Sequence, residues 1–181
     1  MRNSRIASLF LGLAALAAVA AAPAPAQPTA EAVKAGFLPR FARYVVWPPA
    51  AQPPARSAFQ LCVIGRDPFG RLLDRAAAGE AIDGHPVLVR RMTSADLADG
   101  CHLAYVQGAA APDTARLLLA LRRHPVLTVT NGRAGSQRGM VHFTIIGGRV
   151  RFFIDEAQAA ERGLKISSRL LALAAGVRQR R

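Results

Sequence analysis

The sequence predicts an α/β fold: a three-layer sandwich with a mixed, mostly parallel sheet that ends in an antiparallel hairpin. Two observations carry this prediction. Apolar β-forming runs alternate with helical patterns through the first two-thirds of the chain, which is typical of a parallel sheet covered by helices. Near the C-terminus, two runs of alternating residues flank Gly147-Gly148, a pair that suits the positive φ angles of a two-residue hairpin turn.

The first 26 residues have the pattern of a secretory signal peptide. Arg2 and Arg5 precede an uncharged apolar run over 6–22, and Ala24-Pro25-Ala26 supplies the small residues that a signal peptidase requires. We therefore expect cleavage after Ala26, a periplasmic location, and a single domain over 27–181. An uncleaved membrane anchor is the alternative, since the apolar run approaches the length of a membrane span.

The first half of the chain divides into elements at its proline, glycine and N-cap residues. Val33, Phe37 and Phe41 recur every four residues, as on one face of a helix, and Pro39 inside this run should kink or divide that helix. The predicted elements are a helix over 32–46, a loop over 48–57, a strand over 59–64, a helix from Pro68 to Ala78 that Asp67 caps, a strand over 86–91, a short helix over 95–98 and a strand over 101–106.

The second half alternates in the same way before the hairpin. Its predicted elements are a helix that begins at Asp113 with Leu117, Leu118 and Leu121 facing inward, a strand over 125–130, a flexible glycine-rich loop over 131–139, hairpin strands over 141–145 and 149–155, and helices over 156–162 and 168–177. Gly163 separates the last two helices, and Ser167 or Ser168 caps the second of them.

Two cysteines, Cys62 and Cys101, follow the predicted signal peptide. An exported protein matures in an oxidising compartment, so one disulfide between them is the default expectation. Both lie at predicted strands, and neighbouring strand ends can meet the distance that a disulfide needs. The alternative is a metal or nucleophile site built on Cys101-His102, which is disfavoured because adjacent strand residues face opposite sides of a sheet.

The chain is strongly basic, with a formal net charge of +13, or +11 without the two signal-peptide arginines. Such a charge suggests nucleic acid first, but export argues against a nucleic-acid partner. The basic residues are scattered and almost all arginine, which favours a compositional origin. The alternative is attraction to anionic head groups or to an acidic protein partner.

No catalytic motif is present. The loop over 131–139 lacks both a Walker A pattern and a dinucleotide-binding glycine pattern, and no nucleophile elbow occurs. The four histidines show no metal-ligand spacing, and no carboxylates form an obvious acid/base pair. We therefore predict a non-enzymatic protein with no cofactor and no metal, whose function is recognition.

Candidate recognition residues lie at three places. On the strand over 149–155, Phe153 shares a face with Arg151 and Asp155, opposite the apolar positions. An aromatic side chain between arginines is typical of an interface, although a covering helix would make it core. Tyr44 and Trp47 form a second candidate patch, because their polar tips tolerate water; the alternative is again a core position. The third candidate patch contains Lys165, Ser167 and Ser168, in which the serines also suit helix capping.

Five segments together resemble the YfiR family. They are F-L-P-R-F-A-R-Y-V-V-W-P over 37–48, L-C-V-I-G-R-D-P-F-G over 61–70, G-C-H-L-A-Y-V over 100–106, P-V-L-T-V-T over 125–130, and the C-terminal block over 139–171 with G-M-V-H-F, V-R-F-F-I-D and G-L-K-I-S-S-R-L-L. The resemblance runs in order over nearly all of 30–177. Its specificity rests on the combination of segments rather than on any single one.

The resemblance implies a periplasmic signalling regulator that binds and represses a membrane-anchored, YfiN-like diguanylate cyclase, which lowers cyclic-di-GMP. It also implies an OmpA-like outer-membrane lipoprotein that sequesters the regulator, and a homodimer. Other membrane sensors are alternative partners. This chain departs from the family at Phe153, where members usually carry Glu, at Asp155, where they carry Asn, and at Pro39. A changed residue on the outer strand surface implies an altered choice of partner.

Other function classes remain open at this point. A periplasmic small-ligand-binding protein is the main alternative, because loops at the strand ends of an α/β sandwich can hold a ligand. An enzyme would require a cleft with a polar cluster of shifted pKa values. A protein that binds head groups through its positive charge would lose that binding in salt.

Overall fold

A computed structural model of the protein describes residues 27–179, so the predicted signal peptide lies outside the described residues. The described helices are α1 (Ala30–Ala42), α2 (Arg71–Ala77), α3 (Ala111–Ala120), α4 (Glu156–Ala160) and α5 (Ser168–Leu173). The strands are β1 (Val45–Val46), β2 (Phe59–Gly65), β3 (Ala81–Ile82), β4 (His85–Met92), β5 (Leu103–Gln107), β6 (Leu127–Thr130), β7 (Val141–Ile146), β8 (Arg149–Asp155), β9 (Lys165–Ile166) and β10 (Gly176–Arg178).

Eight of the strands form one mixed sheet in the order β10-β8-β7-β6-β5-β2-β4-β3. The strands β4, β2, β5, β6 and β7 run parallel to their neighbours in that series, while β7 and β8 form the predicted antiparallel hairpin. Beyond the hairpin, β10 pairs with β8 in parallel, and at the other edge β3 pairs with β4 antiparallel. The predicted mixed, mostly parallel α/β sheet is confirmed.

One face of this sheet, here called the α1 face, is covered by α1, α2 and the C-terminal helices. The strands supply its core through alternate residues such as Leu61 and Val63 of β2. Four phenylalanines join helix to sheet, with ring centroids of neighbouring pairs 5.0–6.2 Å apart: Phe37 and Phe41 from α1, Phe143 from β7 and Phe152 from β8. These contacts fix α1 against the hairpin.

The opposite side, here called the α3 face, is covered over only part of its width. Cys62 and Ile64 of β2 pack there with Leu118 and Leu121 from the α3 region. This second core is confined to the part of the sheet around β4, β2 and β5. Over β7, β8 and β10 the same face carries polar residues and an open cleft, described below.

The C-terminal helix is shorter than predicted. The pattern predicts a helix over 168–177, whereas α5 ends at Leu173 and the chain continues as β10. Ala174 is already extended, with ψ of 145°, and Ala175 N–H donates to Phe152 C=O at 2.8 Å. Pairing with the open edge of β8 therefore outweighs the local helical preference of the Leu-Ala sequence.

Two predictions on the N-terminal half are also corrected. The helix predicted over 32–46 begins at Ala30 and ends at Ala42, and Pro39 lies inside it without dividing it. Asp67 does not cap a helix that starts at Pro68, because α2 begins at Arg71. Its Oδ1 instead accepts from the backbone N–H groups of Phe69 and Gly70, which closes a turn before the helix.

Candidate functional site

A cleft of about 790 Å³ opens on the uncovered part of the α3 face. Its floor is the outer surface of the hairpin and β10, and its rim is the loop before β7 together with α4. The lining residues include Ser136, Gln137, Arg138, Gly139, His142, Phe153, Asp155, Gln158, Gly176 and Arg178. Two of the three residues predicted on the outer strand surface, Phe153 and Asp155, therefore lie in one cleft. The third, Arg151, is exposed on the same strand face.

Phe153 lies half-buried in this cleft, directly opposite His142 in the hairpin register. Its ring also covers Gly176 of β10, where an added Cβ would lie only 2.9 Å from two ring atoms. Glycine at this position lets β10 approach the aromatic ring. Phe153 is thus neither fully exposed nor core: one side of the ring supports β10 and the other borders the cleft.

Asp155 already has two intramolecular partners. Its Oδ1 accepts from the Gln158 backbone N–H at 2.9 Å and so caps α4. Its Oδ2 lies 2.6 Å from Arg178 Nη2 on β10, and this pairing raises the pKa of the Arg178 guanidinium. Asp155 therefore fastens β8, α4 and β10 together at the edge of the cleft.

His142 forms the buried base of the cleft. Its Nδ1 lies 2.9 Å from Thr130 Oγ1, and this hydroxyl in turn accepts from the Gly139 N–H at 3.0 Å. Burial, with a smaller contribution from the positive charge of Arg138, lowers the pKa of His142 from 6.5 to about 4. The imidazole is therefore neutral near pH 7 and acts as a hydrogen-bonded part of the cleft floor.

The charge around the cleft is mainly positive. Arg138, Arg151 and Arg178 are exposed, and Arg178 alone among these has a carboxylate partner in the described residues. A half-buried aromatic ring between arginines can contact an apolar side chain flanked by carboxylates. The arrangement is suited to recognition of an acidic protein surface.

The second predicted patch is partly wrong. Trp47 was expected to contact a partner, but its side chain is only 5% exposed. Its indole N–H donates to the His102 carbonyl at 3.1 Å, and its ring meets Phe59 edge-on at 5.2 Å. The polar tip that suggested a surface position is satisfied inside the core. Tyr44 is half-buried, so part of its side chain is exposed and could contact a partner.

The third patch lies beside Tyr44. The short strands β1 and β9 pair antiparallel, which places Val46 opposite Lys165, and Ser167 N–H donates to the Tyr44 carbonyl at 2.8 Å. Lys165 and Ser168 are exposed, while Ser167 caps α5 by accepting from Arg169 N–H. Tyr44, Val46, Lys165, Ser167 and Ser168 therefore form one surface, here called the β1–β9 surface.

Sequence reasoning missed two parts of these surfaces. Val46 is 59% exposed at the centre of the β1–β9 surface, but an isolated valine in an apolar run gives no signal of exposure. Gly176 and Arg178 line the cleft because β10 exists, whereas the sequence pattern places Gly176 inside the helix predicted over 168–177 and Arg178 just beyond it. The glycine itself was the available signal, since glycine is unfavourable inside a helix.

Cys62 and Cys101 form a disulfide with a Cα–Cα distance of 6.0 Å, as predicted. It joins β2 to a residue two positions before β5, within the core of the α3 face. Because both sulfur atoms are bonded to each other, they cannot serve as metal ligands or as a thiolate nucleophile. The alternative site on Cys101-His102 is therefore wrong for this oxidised form.

No group of three or more His, Cys, Asp or Glu side chains within residues 27–179 could hold a metal ion. Among the helices of the same range, none combines the length and the apolar character needed to span a bilayer.

Comparison with known proteins identifies a family. A sequence model described as YfiR/HmsC-like matches residues 31–175, which covers most of the chain. No curated protein matches the chain. The matched range contains both the cleft residues of β7 and β8 and the β1–β9 surface.

Proposed function

The chain belongs to the YfiR/HmsC-like family, and from this premise we propose that it is a periplasmic, non-enzymatic regulator that binds a membrane-anchored diguanylate cyclase. The family consists of periplasmic regulators of diguanylate cyclase signalling. For this chain the binding would repress the cyclase and lower cyclic-di-GMP. Export by the signal peptide over 1–26, with cleavage after Ala26, would bring the domain over 27–181 to the partner.

The single observation that carries this proposal is the family match over 31–175. The disulfide between Cys62 and Cys101 supports the location, because disulfides persist in oxidising compartments such as the periplasm. A regulator of this kind works by differential affinity: it stabilises whichever state of the sensor it binds more tightly. Such a role requires a binding surface but no catalytic residues.

We assign the cyclase contact to the outer surface of β8, with Arg151, Phe153 and Asp155. The half-open α3 face leaves this strand surface uncovered by any described helix, and the arginines around it favour an acidic partner. Phe153 would act as the apolar contact, since aromatic side chains and arginine are enriched at protein interfaces.

The β1–β9 surface is a second candidate interface. Exposed Val46 lies between Tyr44 and Lys165, so an apolar side chain is bordered by polar ones. We propose this surface for a second copy of the chain or for an OmpA-like lipoprotein that sequesters the regulator. With two separate surfaces, one partner can be bound while the other is still in place.

The experiment that tests this assignment is site-specific photo-cross-linking in cells. A photoreactive aromatic residue replaces Arg151 on the outer surface of β8, and in a matched control it replaces Leu119, which is 61% exposed on α3. The proposal expects position 151 to capture a membrane protein that carries a diguanylate cyclase domain. Position 119 should capture much less of it. Equal capture of the cyclase at both positions would overturn the assignment. It would also be overturned if position 151 captured only proteins that lack a cyclase domain.

A further inference from the structure

A second crevice, of about 480 Å³, lies at the carboxyl ends of the parallel strands. The carboxyl ends of β2, β5 and β6 form its base, and the first turns of α1 and the outer half of the hairpin form its walls. The hairpin reaches this position because β7 pairs with β6 only at Val141 and His142, while its pairing with β8 continues to Ile146.

The crevice lies at the ends of β2 and β5, two neighbouring strands whose following helices pack on opposite faces of the sheet. The chain leaves β2 for α2, which packs on the α1 face, and leaves the neighbouring β5 for α3 on the other face. In open α/β sheets, the space outside the carboxyl ends of two such strands is the usual place for a ligand, because the two connections diverge there.

A tight backbone approach fixes the base of the crevice. Gly65, with φ of 88°, ends β2 so close to β5 that an added Cβ would lie 2.3 Å from the Gln107 carbonyl oxygen. The following N–H, that of Arg66, donates to the same oxygen at 2.7 Å. This glycine turn therefore places Arg66 directly beside Gln107.

The buried polar residues at the base present a hydrogen-bond donor to the crevice. Gln107 Oε1 accepts from the Tyr105 hydroxyl at 2.8 Å and from Asn131 Nδ2 at 3.0 Å. With its oxygen fixed in this way, the Gln107 amide nitrogen has no acceptor among the described residues. A donor at the base of a cavity without an acceptor favours an oxygen-bearing ligand.

Two cationic side chains, those of Arg66 and Lys34, add further hydrogen-bond donors around the crevice. Arg66 is exposed and has no carboxylate partner among the described residues, since neighbouring Asp67 is held by Arg91 at 2.7 Å. The Lys34 side chain is only 11% exposed, and its Nζ lies 3.8 Å from Glu31 Oε1, beyond hydrogen-bond length. An ammonium group whose one nearby carboxylate lies beyond hydrogen-bond length has donors free for a ligand.

We propose that this crevice binds a small organic anion. Its carboxylate or phosphate group would lie between Arg66, Lys34 and the Gln107 amide, and its apolar part would lie against Ile145, which lines the same space. Ile145 is 51% exposed, so the apolar part of such an anion would cover it. The site is independent of the proposed cyclase contact, which lies on the α3 face.

The test is a titration of the purified exported protein, followed by amide chemical shifts. Sodium benzoate supplies a carboxylate with an apolar ring, inorganic phosphate supplies the anion alone, and neutral benzamide supplies the ring without charge. The proposal expects benzoate or phosphate to give saturable shifts at Arg66, Gln107 and Asn131, with benzamide at least about tenfold weaker. Saturation by benzoate alone identifies a carboxylate with an apolar body as the ligand class, and saturation by phosphate identifies a phosphate group.

Variants separate the site from a general attraction of anions to a basic protein. Arg66→Gln should weaken anion binding by about tenfold or more, because it removes one charge-assisted contact and leaves the fold intact. Arg123→Gln removes the same charge from an exposed position that does not line the crevice, and it should leave the affinity unchanged. Equal effects of the two variants, equal binding of benzamide and benzoate, or no saturable shift at the crevice would each overturn the proposal.

Discussion

Phe153 is the residue on which the assignment of the cyclase contact depends most. Its ring has one side on Gly176 and the other on the cleft, so a substitution there affects both the packing of β10 and the proposed interface. Its neighbour Phe152 lies on the other side of the same strand, 4% exposed and in contact with Phe37 and Phe41. The two residues form a matched pair for experiment, since they differ only in the face they occupy.

We expect Phe153→Glu to fold and to lose partner binding. The substitution exchanges a half-buried ring for a carboxylate, so the loss of apolar burial should cost about 1–2 kcal/mol and lower Tm by a few degrees. Thermal unfolding and capture of the membrane partner measure the two effects separately.

The control for this variant is Phe152→Glu. A carboxylate placed in the α1-face core should prevent stable folding, because a buried unpaired charge has a large desolvation cost. A similar loss of Tm in both variants would show that Phe153 is core, and full partner capture by Phe153→Glu would remove it from the interface.

His142 makes the stability of the protein depend on pH. Its folded pKa of about 4 lies below the ordinary 6.5, so the unfolded chain binds a proton that the folded protein does not. The contribution of neutral His142 to the free energy of unfolding is therefore fully present above about pH 6.5 and is lost as the pH decreases toward 4. With allowance for residual solvent screening, His142 should remove about 1–2 kcal/mol between about pH 7 and about pH 5.

Urea unfolding of the wild-type protein and of His142→Gln checks this prediction. Glutamine can still hydrogen bond to Thr130, which lies 2.9 Å from the imidazole, but it cannot take up the proton. The variant should therefore show a shallower loss of stability over this pH range. His102, whose pKa burial also lowers, keeps its own contribution in both proteins. Parallel pH profiles would contradict the prediction.

The exposure of the candidate contact residues was only partly predictable, for a physical reason visible at Trp47. An indole has an apolar body and one N–H donor, and the sequence does not tell whether that donor meets water or a carbonyl. Here the His102 carbonyl accepts it in the core. The alternation along β8, in contrast, correctly placed Arg151, Phe153 and Asp155 on one face, because strand geometry admits no other arrangement.

At the scale of elements, the disulfide is the covalent link between β2 and the start of β5. It closes a segment with a sequence separation of 39, which limits the freedom of the unfolded chain. We expect the replacement of both cysteines by serine to cost about 3–4 kcal/mol by the chain-entropy argument. Urea unfolding of the oxidised protein and of the double variant measures this difference.

Mass spectrometry of the exported protein without reductant provides the accompanying control. Alkylation should leave both cysteines unmodified, since the sulfur atoms are bonded. Two alkylated thiols in the native protein, or equal stability of the two forms, would contradict the structural role of the bond.

The elements that the sequence predicted well are those with strong local signals. The hairpin followed from strict alternation around Gly147-Gly148, whose φ angles of 55° and 71° are the positive values that the turn requires. The strands β1, β9 and β10 were missed because each has only two or three residues. Their pairing depends on partners far away in the chain, which no local pattern reveals.

At the scale of the whole molecule, the α/β class was predictable while the uneven covering of the sheet was not. The alternation of strands and helices determines that connections cross the sheet, but it does not determine how far α3 extends over the second face. The open part of that face holds the cleft, and the crossover reversal between β2 and β5 creates the second crevice. Both candidate sites therefore arise from the arrangement of elements rather than from a sequence motif.

The central claim, that this protein restrains a cyclase from the periplasm, is tested most directly by intracellular cyclic-di-GMP in cells with and without the protein. The proposed function predicts that deletion raises cyclic-di-GMP and that the export-competent form restores the original level, while a form lacking the apolar run over 6–22 does not. An unchanged level on deletion, or restoration by the form that is not exported, would contradict it.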